Sequence, residues 1–189
     1  MTTRFARVGA SSDFAAAAMS LVAVARPRLV HDSPDRDHER LWSIAGEWTT
    51  DGHVVGDPPL PLNGTDIYDV LAGGHFLVHH VDVTVGDQEL RAIEVIGESA
   101  TQGGFLARSF DDQGNAEVMR VTVDDAGVFH FEGGPEIAAA AHPADAPTAR
   151  VRSTLTVAQD RQSMTALWER SEHGDSWKPW MNITFTRRT

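Results

Sequence analysis

The sequence predicts an all-β domain, a closed antiparallel barrel of about ten strands preceded by a short N-terminal helix. From residue 47 onward, segments of roughly four to eleven residues alternate β-branched or aromatic residues with polar ones. Turn-forming pairs such as Gly86-Asp87 separate these segments at even spacing. No long helical period follows Gly46, which disfavours βαβ folds. An open meander of this length would leave two unpaired edges, so we expect the sheet to close.

The predicted strands cover most of the chain. Their ranges are 47–55, 64–71, 75–85, 88–97, 103–110, 115–124, 127–132, 149–158, 163–171 and 176–187.

A helix is predicted over residues 34–45, immediately before the first strand. Ser33 is a suitable N-cap, and Gly46 is a typical residue just beyond a helix end. We expect this helix to cover one end of the sheet, with Trp42 and Trp48 filling that end of the barrel.

The sequence is interpreted as one domain, residues 34–189, with residues 1–33 as a helical or disordered extension. Residues 1–25 resemble a secretory signal, but Asp13 adjoins the apolar stretch, so a cytoplasmic location is favoured and export is the alternative. Residues 133–148 interrupt the strand rhythm and are interpreted as a functional lid or a disordered loop.

Composition excludes several functions. The 189 residues carry a net charge of −11 and no cysteine. The charge argues against nucleic-acid and membrane partners, and the absence of cysteine removes disulfides and thiolate metal sites. No run of apolar residues is long enough to span a bilayer. A homodimer is left open.

Histidine is the conspicuous residue type, with nine in the chain and three within six positions. Strand alternation places His79 on the same face as Leu77 and Val83, whereas His80 shares its face with Asp82. His79 is therefore the interior candidate. No HxH or HExxH spacing occurs, so neither a metal site nor a cofactor is predicted.

Charged residues at the centres of otherwise apolar strands are the second clue to a site, because an unpaired buried charge is costly. An arginine in a cavity could bind a carboxylate, and flat aromatic rings could form the walls. The candidate ligand-binding residues are His79, Glu94, Arg108, Arg120 and His130, with Trp168 and Trp180 as walls.

Several stretches resemble a known superfamily. Residues 41–48 (LWSIAGEW) are similar to the Gly-x-Trp signature of calycin-type barrels, which include lipocalins and fatty-acid-binding proteins. Residues 68–76 (YDVLAGGHF), 94–97 (EVIG) and 168–180 resemble a bacterial group of lipocalin-like domains of unknown function. The resemblance covers residues 38–188 and implies a closed antiparallel barrel with an interior pocket.

The chain is also distantly similar to the nitrobindins, a resemblance that implies a ten-stranded barrel with haem held by a histidine on a late strand. The last histidine here is His173, in a predicted turn, and residues 176–189 contain none. We therefore do not expect haem.

These observations favour a barrel that binds a small, largely apolar molecule in its interior. One alternative is an enzyme of the isomerase, cyclase or dehydratase type, which requires a histidine within hydrogen-bond reach of Glu94 or Glu169. Another is a non-catalytic oligomer whose barrel is filled by side chains. Whether the protein is an enzyme stays open at this stage.

Overall fold

The computed structural model describes residues 36–100, 103–137, 149–172, 174 and 176–189. The chain divides into two compact units, Met1–Asp32 and Ser33–Thr189, and all described residues belong to the second. The predicted extension, its signal-like stretch, the Ser33 cap and most of the predicted loop over 133–148 lie outside the described residues.

Besides helical residues 135–137, the described part contains one α-helix, one 3-10 turn and ten strands. Their bounds are α1 Arg36–Leu41, the 3-10 turn Trp42–Ile44, β1 Gly46–Val54, β2 Leu60–Val70, β3 Leu77–Val85, β4 Gln88–Ser99, β5 Phe105–Asp111, β6 Ala116–Val123, β7 Phe129–Gly133, β8 Ala149–Val157, β9 Ser163–Glu172 and β10 Lys178–Arg187. No helix among them is long and apolar enough to cross a membrane.

Each strand pairs antiparallel with the next, and β10 pairs with β1 to close the barrel. The closing seam extends from Trp48 opposite Arg187 to Val54 opposite Met181. The predicted fold class is therefore confirmed. Closure follows from the uniform hairpin connectivity, because only full closure leaves no unpaired edge.

One end of the barrel is closed by the residues that precede β1. Leu41 and Ile44 are fully buried in the core together with Trp48, whose Nε1 donates to the Ile44 carbonyl at 3.0 Å. The Arg187 guanidinium lies 4.2 Å from the centre of the Trp48 ring. Trp42, which we expected in this plug, is 36% exposed and donates to the Gly74 carbonyl, because its helical position points outward.

At the opposite end, the inward-facing residues are less buried. Inward-facing residues near the helix, such as Phe129 and Leu77, are completely buried. Inward-facing residues at the end of the barrel near Val54 are only partly buried. Examples are Ala92 on β4, Trp168 on β9 and Met181 on β10. Inner-face residues at the end opposite the helix are therefore more accessible to solvent than those near it.

A β-bulge in β4 adjusts the register just beyond the centre of the barrel. The pairing with β5 shifts between Ile96 and Glu98, so that Gly97 is the additional residue. Gly97 has φ +142°, and a Cβ there would lie 3.0 Å from Phe76 Cα, so glycine is required. The bulge keeps Ile96 and Phe105 both on the inner face.

Candidate functional site

A histidine held between two carboxylates lies on the inner face of three consecutive strands. His79 on β3 contacts Asp66 on β2 through Nε2, 2.6 Å from Oδ1, and Glu94 on β4 through Nδ1, 3.3 Å from Oε2. The strand register produces this arrangement, because His79 is directly opposite Glu94. We call Asp66, His79 and Glu94 the histidine–carboxylate cluster.

A residue of β1, one of the two strands of the closing seam, also contacts the cluster. The Thr50 hydroxyl on β1 donates to Asp66 Oδ2, so both carboxylate oxygens of Asp66 are hydrogen-bonded. Glu94 differs, because within the described residues no hydrogen bond reaches its Oε1. Glu94 is therefore the carboxylate of the cluster that can accept a further donor.

The cluster is buried but not sealed. The exposed fractions of the side chains are 5% for Asp66, 12% for His79 and 14% for Glu94. His79 and Glu94 thus have more solvent-accessible surface than Asp66. The accessible edge of the cluster is the His79–Glu94 pair.

Tyr68 forms the aromatic support of the histidine. Its ring stacks on the imidazole of His79 with a centroid separation of 3.8 Å and an interplanar angle of 9°. Burial, followed by the negative charges of Asp66 and Glu94, raises the pKa of Tyr68 well above its ordinary value. The phenol is therefore neutral at physiological pH.

The protonation state of His79 is set by competition between burial and its carboxylate partners. Burial lowers the pKa of His79, but the hydrogen bonds and charges of Asp66 and Glu94 outweigh that effect and raise it to about 9. At neutral pH the ring is therefore an imidazolium that donates both N–H groups to carboxylates. Two carboxylates and one imidazolium have a formal charge of −1.

The cluster does not form a metal site. The two carboxylates contact opposite nitrogens of the same ring, so no single point faces all three groups. Within the described residues, no group of three or more histidine or acidic side chains has an arrangement that could hold a metal ion.

Aromatic residues and an unpaired hydroxyl line other parts of the interior. Trp168 contacts Trp180 edge-on, with ring centroids 6.1 Å apart, and the Trp168 centroid lies 6.4 Å from that of Phe131. Ser153 on β8 is only 2% exposed, and its Oγ is the buried side-chain oxygen that has no protein partner among the described residues. Since β8 is five strands from β3 in a ten-stranded barrel, Ser153 is opposite the cluster.

Three of the seven sequence candidates lie on the outer face. In β5 and β6 the buried residues are Ala107 and Met119, and Arg108 and Arg120 occupy the alternate positions. They form ion pairs on the surface, Arg108 with Glu98 at 2.8 Å and Arg120 with Glu132.

His130 is also on the outer face, 3.4 Å from Asp124, and its side chain is 42% exposed. The structure thus brings His79 and Glu94 into direct contact, joins Trp168 with Trp180, and keeps the arginines and His130 outside the interior. Arg108 and Arg120 instead line an outer groove of about 530 Å³, with Arg150 and Trp177.

Sequence reasoning missed Thr50, Asp66, Tyr68 and Ser153. Asp66 carried a detectable signal, because strand alternation groups it with Leu62 and Tyr68, both of which are buried. An acidic residue on the apolar face of a strand predicts a buried partner. Ser153 carried no such signal, since serine is common on either face.

The fold and the cluster together define a closed ten-stranded barrel with an ionisable group in its interior. The chain belongs to the family described as "Protein of unknown function (DUF1579)", whose model matches residues 33–187. Among solved structures, the crystal structure of Rv2717c from M. tuberculosis is similar, with a TM-score of 0.56 and 11% sequence identity. The alignment covers 82% of this chain and 99% of that one, and at this identity it shows the shared fold alone. No curated protein matches the chain.

We expect stability to fall as the pH rises from 6.5 to above 9, because the folded protein keeps a proton on His79 that the unfolded chain releases near 6.5. The His79 contribution is complete below pH 6.5 and is lost as the pH passes about 9, and its size is roughly 3 kcal/mol. Urea unfolding at a series of pH values measures it. His79→Gln should flatten the curve, whereas His80→Gln, on the outer face, should not. Equal slopes in the wild type and His79→Gln would contradict the assignment.

Ser153→Ala should raise the free energy of unfolding by about 1 kcal/mol, because it removes a buried hydroxyl that has no protein partner. The matched change is Thr50→Val, which should lower the free energy of unfolding by about 1–3 kcal/mol, since it deprives Asp66 of a donor. Thermal and urea unfolding measure both. Destabilisation of similar size in the two variants would mean that the Ser153 hydroxyl is hydrogen-bonded.

Proposed function

We propose that the barrel binds a small, largely apolar molecule in its interior, as a lipocalin-like protein, and that the polar group of this ligand contacts the His79–Glu94 pair. The observation that carries the proposal is the partial exposure of this pair inside a largely apolar barrel. A ligand entering from the end opposite the helix would reach it.

Stability alone gives little reason for such a cluster. Replacing buried ionic groups with well-packed apolar residues is often neutral or stabilising, whereas strongly perturbed titratable groups are concentrated at functional sites. The His79 cluster is perturbed by specific partners on neighbouring strands and retains accessible atoms. These properties favour a role in ligand binding over a purely structural one.

The walls supply the apolar part of the interaction. Trp168 and Trp180 are both partly buried and in contact, so each still has ring surface that a ligand could cover. Apolar contact contributes about 25 cal/mol per Å² of surface removed from water, and covering ~200 Å² would contribute about 5 kcal/mol before the costs of association. A few polar contacts would then fix the orientation of the ligand.

Nile red, a neutral lipophilic dye, should bind the wild-type protein with increased fluorescence. Ala92→Phe fills the interior and should weaken this binding by about tenfold or more. The control is Ile93→Phe, the neighbouring position, which faces outward and is 47% exposed. Circular dichroism checks that both variants fold. Binding that survives Ala92→Phe but is lost in Ile93→Phe would assign the dye to the outer surface and contradict the proposal.

The contact between His79 and Glu94 also favours a second candidate, an enzyme that moves a proton within its ligand. His79 is protonated and both its nitrogens face carboxylates, so it would supply positive charge rather than act as a base. Glu94 Oε1 would accept a proton from a carbon next to a ligand carbonyl and return it to another atom of the same ligand, with no further reactant.

2-Undecanone, an enolisable lipophilic ketone, tests this candidate in D2O. Catalysis would incorporate deuterium next to the carbonyl faster than buffer does, and Glu94→Gln should lower the rate by about 10²–10⁴-fold. Glu98→Gln, on the outer face, should leave the rate unchanged. Binding of the ketone without exchange above the buffer rate would exclude this candidate, as measured by mass spectrometry of the recovered ketone.

A further inference from the structure

We propose that the interior selects ligands with a cationic, hydrogen-bond-donating head group, so that a lipophilic amine binds in preference to the carboxylate of the same chain length. The inference rests on the proposed binding function and specifies its ligand class. It follows from the composition of the cluster and from the location of the arginines.

The cluster presents an acceptor rather than a donor to an incoming ligand. Both ring nitrogens of His79 already donate to carboxylates, and both oxygens of Asp66 already accept. The atom that remains is Glu94 Oε1, a carboxylate oxygen on a side chain with 14% exposure. A ligand that donates a hydrogen bond can use this atom, and a ligand carboxylate cannot.

The charge of the interior favours the same choice. The formal charge of the cluster is −1, so an ammonium group would neutralise it and a carboxylate would double it. Arg108 and Arg120, the residues that could have received a carboxylate, are paired with Glu98 and Glu132 on the outer face. Because the interior is poorly solvated, this difference is less screened than it would be at the surface.

Two further features of the interior suit a cationic amphiphile. The Trp168 and Trp180 rings can contact an ammonium through their faces as well as an alkyl chain. On the opposite side of the barrel, Ser153 Oγ is buried without a protein partner, which leaves a second polar atom of the interior available to a ligand. This hydroxyl does not belong to the histidine–carboxylate cluster.

Competition against Nile red tests the inference with three probes of equal chain length: dodecylamine, 1-dodecanol and dodecanoate at neutral pH, below their aggregation limits. A hydrogen bond to a charged group accounts for about tenfold to hundredfold in affinity, so the amine should displace the dye at a concentration at least about tenfold below that of dodecanoate. The alcohol, which donates but is neutral, should fall between them.

Two matched variants separate the local interaction from general attraction to an acidic protein of net charge −11. Glu94→Gln should abolish the preference for the amine. Glu98→Gln removes the same formal charge from the outer face and should leave the preference unchanged. If Glu94→Gln does not fold, the head-group series on the wild type and on His79→Gln still tests the inference, because removal of the imidazolium should strengthen the preference for the amine.

The outcomes distinguish the two proposals. Displacement by dodecanoate at equal or lower concentration than the amine would overturn the ligand class while leaving interior binding intact. A preference for the amine that survives Glu94→Gln would overturn the role of Glu94. Failure of all three probes to displace bound Nile red would overturn interior binding itself, and the inference with it.

Discussion

The pairing of β10 with β1 is the constraint on which the other features of this protein depend. It converts one face of a ten-stranded sheet into an enclosed interior, and without it the histidine–carboxylate cluster would lie on an open sheet. The seam requires close approach of the two strands. A Cβ on Gly52 would lie 3.0 Å from Ile183 Cα and closer still to the carbonyl oxygen of Asn182, so a larger residue would force the strands apart.

The cluster in turn depends on register. Thr50, Asp66, His79 and Glu94 come from four consecutive strands, and each contact requires the pairing of the two strands that carry it. A slip of one residue in β3 would place His80 inside and His79 outside. The buried charges therefore favour a single register, because any other alignment would leave Asp66 and Glu94 without a cationic partner in a poorly solvated interior.

Sequence reasoning was sufficient for the architecture and for part of the site. The ten strands, the preceding helix and the closure followed from turn chemistry and alternation, and the inward orientation of His79 followed from the polar Asp82 and Thr84 on the other face of β3. In β5, the pattern of apolar residues did not predict which face points inward. There the larger apolar residue, Phe110, is 56% exposed, and the small Ala107 is completely buried.

For the same reason, Arg108 and Arg120 were predicted to line the interior, whereas they lie on the outer face. Arg108 and Arg120 were expected inside because they lie at the centres of otherwise apolar strands, but the inner face of β5 and β6 is formed by Phe105, Ala107, Met119 and Val121. When both faces of a strand carry apolar residues, the face that points inward is decided by how its side chains pack across the barrel. That packing depends on residues distant in sequence. The contact of Thr50 with Asp66 was not predictable for a related reason, since it joins two strands whose register only the folded barrel defines.

Ion pairs occur on both faces of the barrel, but their energetic effects differ. On the outside, Arg108–Glu98 is an ion pair between partly exposed side chains, and such pairs contribute little to stability. On the inside, His79 shares its charge with two carboxylates in a poorly solvated space, and one carboxylate oxygen of Glu94 has no partner within the described residues. Because Arg108 and Arg120 are outside, His79 is the cation that contacts Asp66 and Glu94 within the described residues, and the cluster keeps a formal charge of −1. The electrostatic character of the interior therefore depends on which side chains face outward as much as on those that face inward.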